Sequence, residues 1–383
     1  MRLVVVSVVL LSLLGLSLAE DPYLFFDWNV TYGTISPLGG PERGILINGQ
    51  FPGPEINCTS NNNIVVNIFN FLDEPLLFTW NGIQQRKNSW MDGMPGTNCP
   101  ILPGTNYTFH FQVKDQIGSY FPISPSYRGV ARIPPPQEAI PTRAATGWAW
   151  SFNQWRSFRW NLTASAARPN PQGSYHYGSI NITRTIVLDS STGMVDGKRK
   201  YALNGVSHVD AEVPLKLAEY YNASERVFQY DLIGDLPPQK ESRVIKVAPN
   251  VVRIEFRTFV EIILQNSERS LQSYHLDGYS FFPVGMGPGK WKPESRQGYN
   301  LLDAVSRHTI QVYPKSWTAI MLTFDNAGMW NLRSNILERS VQGQQLYISV
   351  VSPERSLRDE YSMRNETLLC GFIKDLPIPP PYT

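Results

Sequence analysis

The residues of this chain that could hold a metal ion are few and scattered along the sequence. Its 5 histidines are His110, His176, His208, His275 and His308. None has a second histidine at the close spacing typical of a metal site. His275 and Asp277 form an imidazole–carboxylate pair, but zinc sites use three or four protein ligands. We therefore interpret that pair as a satisfied polar pair, and His110 and His308, at predicted strands, as structural or exposed.

Two other kinds of catalytic site find no support in the sequence. Residues 285–290 contain closely spaced glycines, but they lack the Gly-Lys-Ser/Thr ending of a phosphate-binding loop and any helix pattern after it. We predict a turn there. No nucleophile elbow is present, and nothing in the linear order assembles a serine, a histidine and an acid into a triad.

Residues 325–344 have the spacing of a copper-binding motif, with other side chains at its ligand positions. The stretch reads Asp-Asn-Ala-Gly-Met-Trp-Asn-Leu-Arg-Ser-Asn-Ile-Leu-Glu-Arg-Ser-Val-Gln-Gly-Gln. It resembles the multicopper oxidase motif Asp-Asn-Pro-Gly-x-Trp-x-x-His-Cys-His-Ile-x-x-His-x-x-x-Gly-Met. In that family the cysteine, the later histidine and the methionine bind the electron-accepting copper, and the histidines flanking the cysteine bind the oxygen-reducing cluster. The corresponding positions here are Arg333, Ser334, Asn335, Arg339 and Gln344.

These substitutions remove the chemistry that the family's copper ions need. A blue-copper site requires a soft thiolate, and Ser334 offers only a hard hydroxyl. Arg333 and Arg339 place permanent positive charge where a cation would bind, because guanidinium does not deprotonate in proteins. The resemblance therefore implies a family scaffold without its usual metal ions, and we expect no cofactor where active members carry copper.

A second stretch also has the spacing of a copper-ligand motif, which we call a frame, and it has lost most of its ligands in the same way. Residues 272–281 match the family pattern His-Pro-x-His-Leu-His-Gly-His-x-Phe. Only His275 is retained, and Gln272, Asp277 and Tyr279 occupy the other histidine positions. The resemblance thus leaves a single imidazole from this motif.

The two remaining frames belong to the N-terminal part of the chain. Residues 79–83 match His-Trp-His-Gly-Ile, so Thr79 and Asn81 stand where two histidines would bind copper. A His-x-His pair is expected after Gly-Ser-Tyr-Phe, but residues 122–127 read Pro-Ile-Ser-Pro-Ser-Tyr. All four frames therefore lack a usable ligand set.

Longer matching segments indicate that the resemblance is to one plant branch of that family. Residues 28–37, 47–54 and 114–120 are similar to plant L-ascorbate oxidase homologues, the skewed-growth-similar and pollen-specific multicopper oxidase-like glycoproteins. The resemblance covers residues 24–121 and 150–376. Copper ligands are largely substituted in that branch, so we interpret the losses here as a trait of the branch.

The N-terminus has the pattern of a secretory signal peptide. Arg2 precedes an apolar run at residues 3–16, and Ser-Leu-Ala at 17–19 is a small-x-small cleavage site. The run is shorter than the roughly 20 apolar residues of a membrane-spanning helix. We predict cleavage after residue 19 and secretion to the extracellular space or plant cell wall. Residues 370–383 lack the apolar tail of a lipid-anchor signal, so we expect neither a membrane span nor a lipid anchor.

Asn-x-Ser/Thr sequons fit that compartment, because they are acceptors for glycosylation in secreted proteins. A three-residue motif is common, so one sequon by itself predicts little. Their number behind a signal peptide predicts that several are occupied. The sequon asparagines are Asn29, Asn57, Asn106, Asn161, Asn181, Asn222 and Asn365.

The chain has 3 cysteines, an odd count that leaves one thiol over in an oxidising compartment. The resemblance implies that Cys99 and Cys370 form the bridge between the first and last domains of the family. Cys58 then stays free inside the sequon of Asn57.

Apolar residues that alternate or run continuously, bounded by proline and glycine, predict a chain made mostly of strands. Predicted strands lie at residues 62–71, 106–113, 242–247, 251–256, 260–265, 308–313, 317–324 and 345–350. Short helices are predicted at residues 215–221 and 357–363. Many short strands with turns between them indicate an all-β protein of Greek-key β-sandwiches, which the resemblance makes cupredoxin-like.

The chain is short for this family, whose members have three cupredoxin domains of about 100–150 residues each. We predict one truncated and one complete cupredoxin-like domain. An alternative transcript, a gene-prediction error and a true deletion all remain open as the origin of the shortfall. The predicted segments are a signal peptide at 1–19, a truncated N-terminal domain at 20–121, a divergent proline-rich linker at 122–149, a remnant of the second domain at 150–179, a complete C-terminal domain at 180–376 and a proline-rich tail at 377–383.

The leading hypothesis for function is a secreted, non-catalytic, multicopper-oxidase-like glycoprotein of the plant cell wall that acts in polar or pollen-tube growth. The runner-up is a copper-binding oxidoreductase of L-ascorbate oxidase type, and a third possibility is a truncated product that never folds stably. The net charge of +2 comes without a long basic run, which argues against nucleic acid as a partner. Cell-wall polysaccharide or wall proteins are the partners we expect.

Overall fold

The computed structural model describes residues 22–36, 39–114, 121–123, 176–238 and 244–383, with backbone alone at 121–123. The predicted signal peptide, most of the predicted linker and Asn161 lie outside these residues. The strands are β1 (Tyr23–Ile35), β2 (Glu42–Ile47), β3 (Asn63–Asn70), β4 (Thr79–Asn81), β5 (Asn106–Gln112), β6 (Phe121–Ile123), β7 (Arg184–Val195), β8 (Lys198–Leu203), β9 (Val206–Ser207), β10 (Lys246–Val247), β11 (Val251–Glu255), β12 (Phe259–Asn266), β13 (Gln272–Leu276), β14 (Phe282–Pro288), β15 (Thr309–Val312), β16 (Ser316–Thr323), β17 (Gly328–Ser334) and β18 (Gln345–Val351). The α-helices within the described residues are α1 (Leu215–Tyr220) and α2 (Leu337–Val341), and short 3₁₀ helices lie at Ser89–Met91, Tyr177–Ser179, Ser224–Arg226, Pro293–Gly298 and Gly371–Asp375.

The N-terminal part is built on a four-stranded sheet in the order β2-β1-β3-β5, and β4 and β6 form a separate pair. Side chains alternate along β3, so Ile64, Val66 and Ile68 all point into one core. The rings of Trp80 and Phe111 lie 4.6 Å apart in that core. Aromatic packing therefore holds β4, which carries the substituted ligand positions of this part, against the larger sheet.

The C-terminal part is a sandwich of two sheets. One has the order β10-β9-β8-β7-β12-β16-β14, and the other has the order β11-β18-β17-β13-β15. Every residue of β12 is buried. Ile262, Leu322, Trp330 and Leu346 are among the side chains of the shared core, and each is at most 1 % exposed. The core fixes the position and register of β13 and β17.

A loop of the N-terminal part packs closely on the C-terminal sandwich. Trp90, Met94 and Cys99 share an apolar cluster with α1 and β18, and Cys99 is bonded to Cys370 in the disulfide that the resemblance implied. The Gly96 amide donates to the Tyr347 hydroxyl at 2.9 Å, and a side-chain Cβ at Gly96 would lie 2.3 Å from the Tyr347 ring. Only glycine allows this close approach.

Strand prediction from periodicity agrees well with the structure. The segments predicted at 62–71, 106–113, 251–256, 260–265, 308–313, 317–324 and 345–350 correspond to β3, β5, β11, β12, β15, β16 and β18. Of the segment predicted at 242–247, only β10 is described as a strand. The helix predicted at 215–221 is α1.

The prediction of a helix at residues 357–363 was wrong, because this segment forms turns. Its polar groups are used in contacts with distant residues. The Tyr361 amide donates to the Lys87 carbonyl at 2.8 Å, and the Tyr361 carbonyl accepts from the Trp90 indole at 2.8 Å. The Asp359 carboxylate accepts from the Ser352 hydroxyl at 2.6 Å. These contacts fix an irregular backbone where local pattern favoured a helix.

The turn predicted at residues 285–290 was also wrong for most of its length. Gly285 to Pro288 belong to β14, which pairs antiparallel with β16 at the edge of the seven-stranded sheet. Strand pairing with β16 outweighs the weak strand propensity of the glycines. Across the described parts of the chain, no helix is long and apolar enough to cross a membrane.

Candidate functional site

The substituted ligand positions fall into two buried groups because β13 and β17 point alternate side chains to opposite faces. On β13, Gln272 lies on the core side with Tyr274, whereas His275 lies on the opposite face of the strand. On β17, Arg333 lies on the same side as His275. We call the group around Gln272, Tyr274, Arg339, Gln344 and Glu268 the glutamine cluster, and the group around Thr79, Asn81, Asp92, His275, Asp277 and Arg333 the Arg333 cluster.

The glutamine cluster is a closed hydrogen-bond network at the position of the electron-accepting copper. The Gln344 amide donates to the Gln272 carbonyl oxygen at 3.1 Å and to the Tyr274 hydroxyl at 2.8 Å. The Tyr274 hydroxyl in turn donates to the Gln272 oxygen at 2.8 Å. The Gln272 amide donates to the Asn266 side chain at 2.9 Å. Amide and hydroxyl groups therefore satisfy one another's hydrogen bonds here.

An ion pair closes the rim of the glutamine cluster. Arg339 donates to the Glu268 carboxylate at 2.5 Å and to the Gln344 oxygen at 3.3 Å. Burial alone would raise the pKa of Glu268, but hydrogen bonds from Arg339 and Thr192 hold that pKa below its ordinary value. The Arg339 guanidinium also lies 4.5 Å from the centroid of the Tyr201 ring. The charge at this former ligand position is thus neutralised by a carboxylate.

The Arg333 cluster joins the two parts of the chain through one guanidinium. Arg333 donates to the Asp277 carboxylate and to the Asn81 side-chain oxygen, and it also donates to Asn331 at 3.2 Å. His275 Nε2 lies 2.9 Å from the second Asp277 oxygen. Burial alone would raise the pKa of Asp277, but Arg333 and His275 hold it below its ordinary value. The buried carboxylate therefore stays ionised between two partners.

Some polar atoms beside Arg333 have no protein partner among the described residues. They are Thr79 Oγ1, Asn81 Nδ2 and Asp92 Oδ2, all of them buried. Burial and the nearby Asp277 charge raise the pKa of Asp92 well above its ordinary value, against a smaller opposing effect of Arg333. Burial therefore favours the neutral form of the Asp92 carboxyl in this corner of the cluster.

The remaining positions of the frames do not join either cluster. Asn335 is exposed, and its backbone amide donates to the Ser273 carbonyl at 2.7 Å. Tyr279 is 2 % exposed in the core of the C-terminal sandwich, where its hydroxyl donates to the Asn326 carbonyl. The Ser334 hydroxyl accepts from the Ile336 amide at 3.2 Å and so supports the turn after β17.

Two residues of the site were missed by sequence reasoning. No motif in the sequence pointed to Glu268 as a site residue, because its partner Arg339 is 71 residues away. Asp92 follows the frame at residues 79–83, and no sequence pattern showed that it is buried. His308, which was predicted to be structural or exposed, is half-buried and packs its ring 5.3 Å from that of His275. Burial and the neighbouring His275 lower the pKa of His308 to about 4.

The donor sets at both clusters do not fit the family's copper sites. A blue-copper site needs a thiolate and two imidazoles, whereas the matching positions offer the Ser334 hydroxyl, two glutamine amides and the Arg339 guanidinium. At the oxygen-reducing cluster, the Arg333 guanidinium bonds directly to Asp277 and Asn81 at neighbouring ligand positions. We therefore assign no redox step to a copper ion at either cluster.

Comparison with known proteins identifies the scaffold that carries these clusters. Residues 29–127 and residues 212–356 each match a family description that reads "Multicopper oxidase". The chain is also 45% identical to the L-ascorbate oxidase homolog of Brassica napus over 526 aligned positions, which cover 94% of this chain and 95% of the relative. The chain belongs to the multicopper oxidase family.

Other members of the multicopper oxidase family show the same relationship. The L-ascorbate oxidase homolog of Nicotiana tabacum is 43% identical, with 95% of this chain and 96% of the relative covered. The Monocopper oxidase-like protein SKU5 of Arabidopsis thaliana is 32% identical, with 94% and 92% covered. The alignment to the Brassica protein has 526 positions and this chain has 383 residues, so a long stretch of that relative has no counterpart here. The predicted domain boundaries stay predictions.

Solved multicopper oxidases share the fold. The structure of Fet3p, described as a multicopper oxidase that functions in iron import, matches with a TM-score of 0.61 at 14% identity and covers 86% of this chain and 90% of that chain. The laccase from Botrytis aclada matches with a TM-score of 0.60 at 15% identity and covers 87% and 88%. At this identity the likeness concerns the fold alone, and it confirms the prediction of an all-β, cupredoxin-like protein.

Proposed function

We propose that this multicopper oxidase family member is a secreted, non-catalytic glycoprotein of the plant cell wall that acts in polar growth such as pollen-tube growth. The named relatives are plant proteins, and several are called L-ascorbate oxidase homologs or Monocopper oxidase-like proteins. The alternative is a copper-dependent oxidoreductase of L-ascorbate oxidase type.

The observation that carries the non-catalytic role is the Arg333 guanidinium between Asp277 and Asn81. All three residues stand at copper-ligand positions of the family frames, and Arg333 donates a hydrogen bond to each of the other two. The guanidinium is permanently charged and cannot become a ligand by losing a proton. A copper ion at this cluster would therefore have to displace a buried ion pair and accept a cation beside it.

Secretion and glycosylation are supported by the sequence and are compatible with the surface. The signal-peptide pattern directs the chain to the secretory pathway, where sequon asparagines are modified if they are accessible. The sequon asparagines within the described residues are all exposed, namely Asn29, Asn57, Asn106, Asn181, Asn222 and Asn365. Attached glycans at these positions would leave the two buried clusters undisturbed.

Copper loading tests the non-catalytic role directly. The full chain is expressed in a secretory plant host, loaded with copper, dialysed and assayed for a blue absorption band and for ascorbate-dependent oxygen uptake. We expect no blue band, because position 334 lacks a thiolate. We expect oxygen uptake no higher than that of the same amount of protein-bound copper on serum albumin. Catalysed oxygen uptake clearly above that control would contradict the proposed function and support the oxidoreductase alternative.

A groove beside β14 supports an acidic wall polysaccharide as the partner. It has a volume of about 630 Å³ and is lined by the rings of Trp317 and Tyr299. Gly287 lies close against the buried Trp317 ring, since a Cβ there would lie 2.6 Å from it. The partly exposed Tyr299 ring offers an apolar surface to the C–H face of a sugar. The exposed Lys290 and Lys292 line the same groove and would attract the carboxylates of a uronic-acid polymer, with Asp303 as an opposing charge.

Charge reversal at the groove tests this partner. We expect Lys290→Glu combined with Lys292→Glu to weaken binding to polygalacturonate by about tenfold at low salt, because each exposed pair contributes up to about 1 kcal/mol. Lys198→Glu combined with Arg199→Glu makes the same change in net charge at another exposed site and should leave binding nearly unchanged. Co-sedimentation with the polymer measures both variants. An equal loss in both would mean that net charge alone, and not the groove, governs binding.

A further inference from the structure

We propose that His275, His308 and Thr309 form a binding site for one divalent metal ion of the class that prefers imidazole nitrogen, with Zn²⁺ as its representative. This inference goes beyond the proposed function and does not depend on it, because Zn²⁺ has no redox chemistry. The same residues could hold the ion whether or not the protein oxidises a substrate.

Strand pairing brings the three residues together. β13 and β15 pair antiparallel, and His275 lies directly opposite Thr309 in their register. The Leu276 amide donates to the His308 carbonyl at 3.1 Å, which holds the residue before β15 against the end of β13. The two imidazole rings meet edge to face at an interplanar angle of 76°. The backbone of a sheet therefore fixes both imidazoles.

The two imidazole nitrogens have nearly the separation that one bound ion requires. His275 Nδ1 and His308 Nδ1 lie 3.5 Å apart. Zinc–nitrogen bonds of 2.0–2.1 Å at a tetrahedral angle place two nitrogens about 3.3 Å apart. Thr309 Oγ1 lies 2.7 Å from His275 Nδ1 and 3.2 Å from His308 Nδ1, so the three atoms form a compact triangle. An ion above that triangle would complete its coordination with water.

A carboxylate orients His275 in the way that metal-bound histidines are commonly oriented. His275 Nε2 lies 2.9 Å from Asp277 Oδ1, and an ionised carboxylate accepts the imidazole proton at that nitrogen. His275 Nδ1 is then the lone-pair nitrogen, and it faces Thr309 and His308. Arg333 binds the other oxygen of Asp277 and so lies behind the carboxylate.

This site shares His275 with the Arg333 cluster, but its other two residues lie outside the family's frames. His308 and Thr309 occupy no ligand position in any of the four frames, and the ion would lie on the β15 side of His275, away from Arg333. The nearby Arg307 directs its guanidinium to the Ser306 carbonyl at 3.0 Å. His275 is buried but His308 is half-exposed, so an ion can reach the triangle from the His308 side.

Zinc titration of the full chain tests the site. The protein is purified without a histidine tag, stripped with a chelator and titrated with Zn²⁺ against a chromophoric chelator, and Co²⁺ is used to record the visible spectrum of the bound ion. We expect one equivalent of bound Zn²⁺ and a Co²⁺ spectrum with nitrogen and oxygen ligands. His308→Ala should weaken zinc binding by more than about tenfold, since even the loss of an outer partner costs 10–100-fold.

Controls separate this site from adventitious binding. His110→Ala removes a half-buried histidine from β5 and should bind zinc like the unaltered chain. Thr309→Val keeps both imidazoles and the shape of the side chain, so it should weaken binding less than His308→Ala and should remain folded if the alanine variant does not. Zinc should raise the melting temperature of the unaltered chain and of His110→Ala by more than that of His308→Ala. No zinc binding, or equal binding by the unaltered chain and by both His308→Ala and Thr309→Val, would overturn the proposal.

Discussion

Arg333→Met is expected to lower the free energy of unfolding by about 3–5 kcal/mol at neutral pH. The substitution leaves the carboxylate of Asp277, which is 2 % exposed, without its cation, and breaking a buried pair costs this much. It also removes the bond to Asn81 that links the N-terminal part to β17. Denaturant unfolding followed by tryptophan fluorescence measures the change.

Two control variants isolate the buried pair. Arg364→Met removes an arginine whose partner Glu366 is 44 % exposed, and it should cost less than about 1 kcal/mol. Combining Arg333→Met with Asp277→Asn removes both charges and should recover much of the lost stability, because no unpaired ion is then buried. If Arg333→Met were as stable as Arg364→Met, the link that Arg333 makes between the two parts would contribute nothing measurable to the free energy of unfolding.

The cost of Arg333→Met should also depend on pH. In the unaltered chain the pKa of Asp277 is below its ordinary value, so the pair stabilises the fold above that value and is lost only in acid. Without the guanidinium, burial raises the pKa of Asp277, and the folded state binds a proton that the unfolded state does not. The variant therefore gains stability as the pH falls from neutral toward about 3.9, the ordinary carboxyl pKa, and the difference between the two proteins narrows.

Removing the disulfide has the second large expected effect. Cys99→Ser combined with Cys370→Ser opens a bridge whose cysteines are 271 residues apart in sequence, and the chain-entropy model gives a loss of about 5 kcal/mol. The bridge also anchors the loop of Trp90 and Met94 on the C-terminal sandwich. Denaturant unfolding with and without a reducing agent measures the effect.

A matched variant and a reductant complete that experiment. Cys58→Ser changes the free, half-buried cysteine and should cost no more than about 1 kcal/mol. Treating the unaltered chain with a reductant should reproduce the unfolding curve of the double variant, since both lack the same bond. An unchanged curve in the double variant would show that noncovalent contacts alone hold the two parts together.

Much of the sheet structure was predictable because it depends on local periodicity. The alternation of Ile64, Val66 and Ile68 identifies the buried face of β3 without knowledge of its neighbours. The helix predicted at residues 357–363 failed because Tyr361 bonds to Lys87 and Trp90, residues that no local pattern associates with it. Tertiary hydrogen bonds overrode a weak helical preference there.

The sequence by itself determined which chemistry the family's copper positions can support. Ser334 cannot supply a thiolate and Arg333 cannot lose its charge in any fold, because these are properties of the side chains. Only the tertiary structure decided which side chains meet at those positions. The partners of Arg333 are Asp277 and Asn81, 56 and 252 residues away, and His308 meets His275 across 33 residues. Such contacts depend on strand register and on the packing of one part against the other, and residue periodicity carries neither.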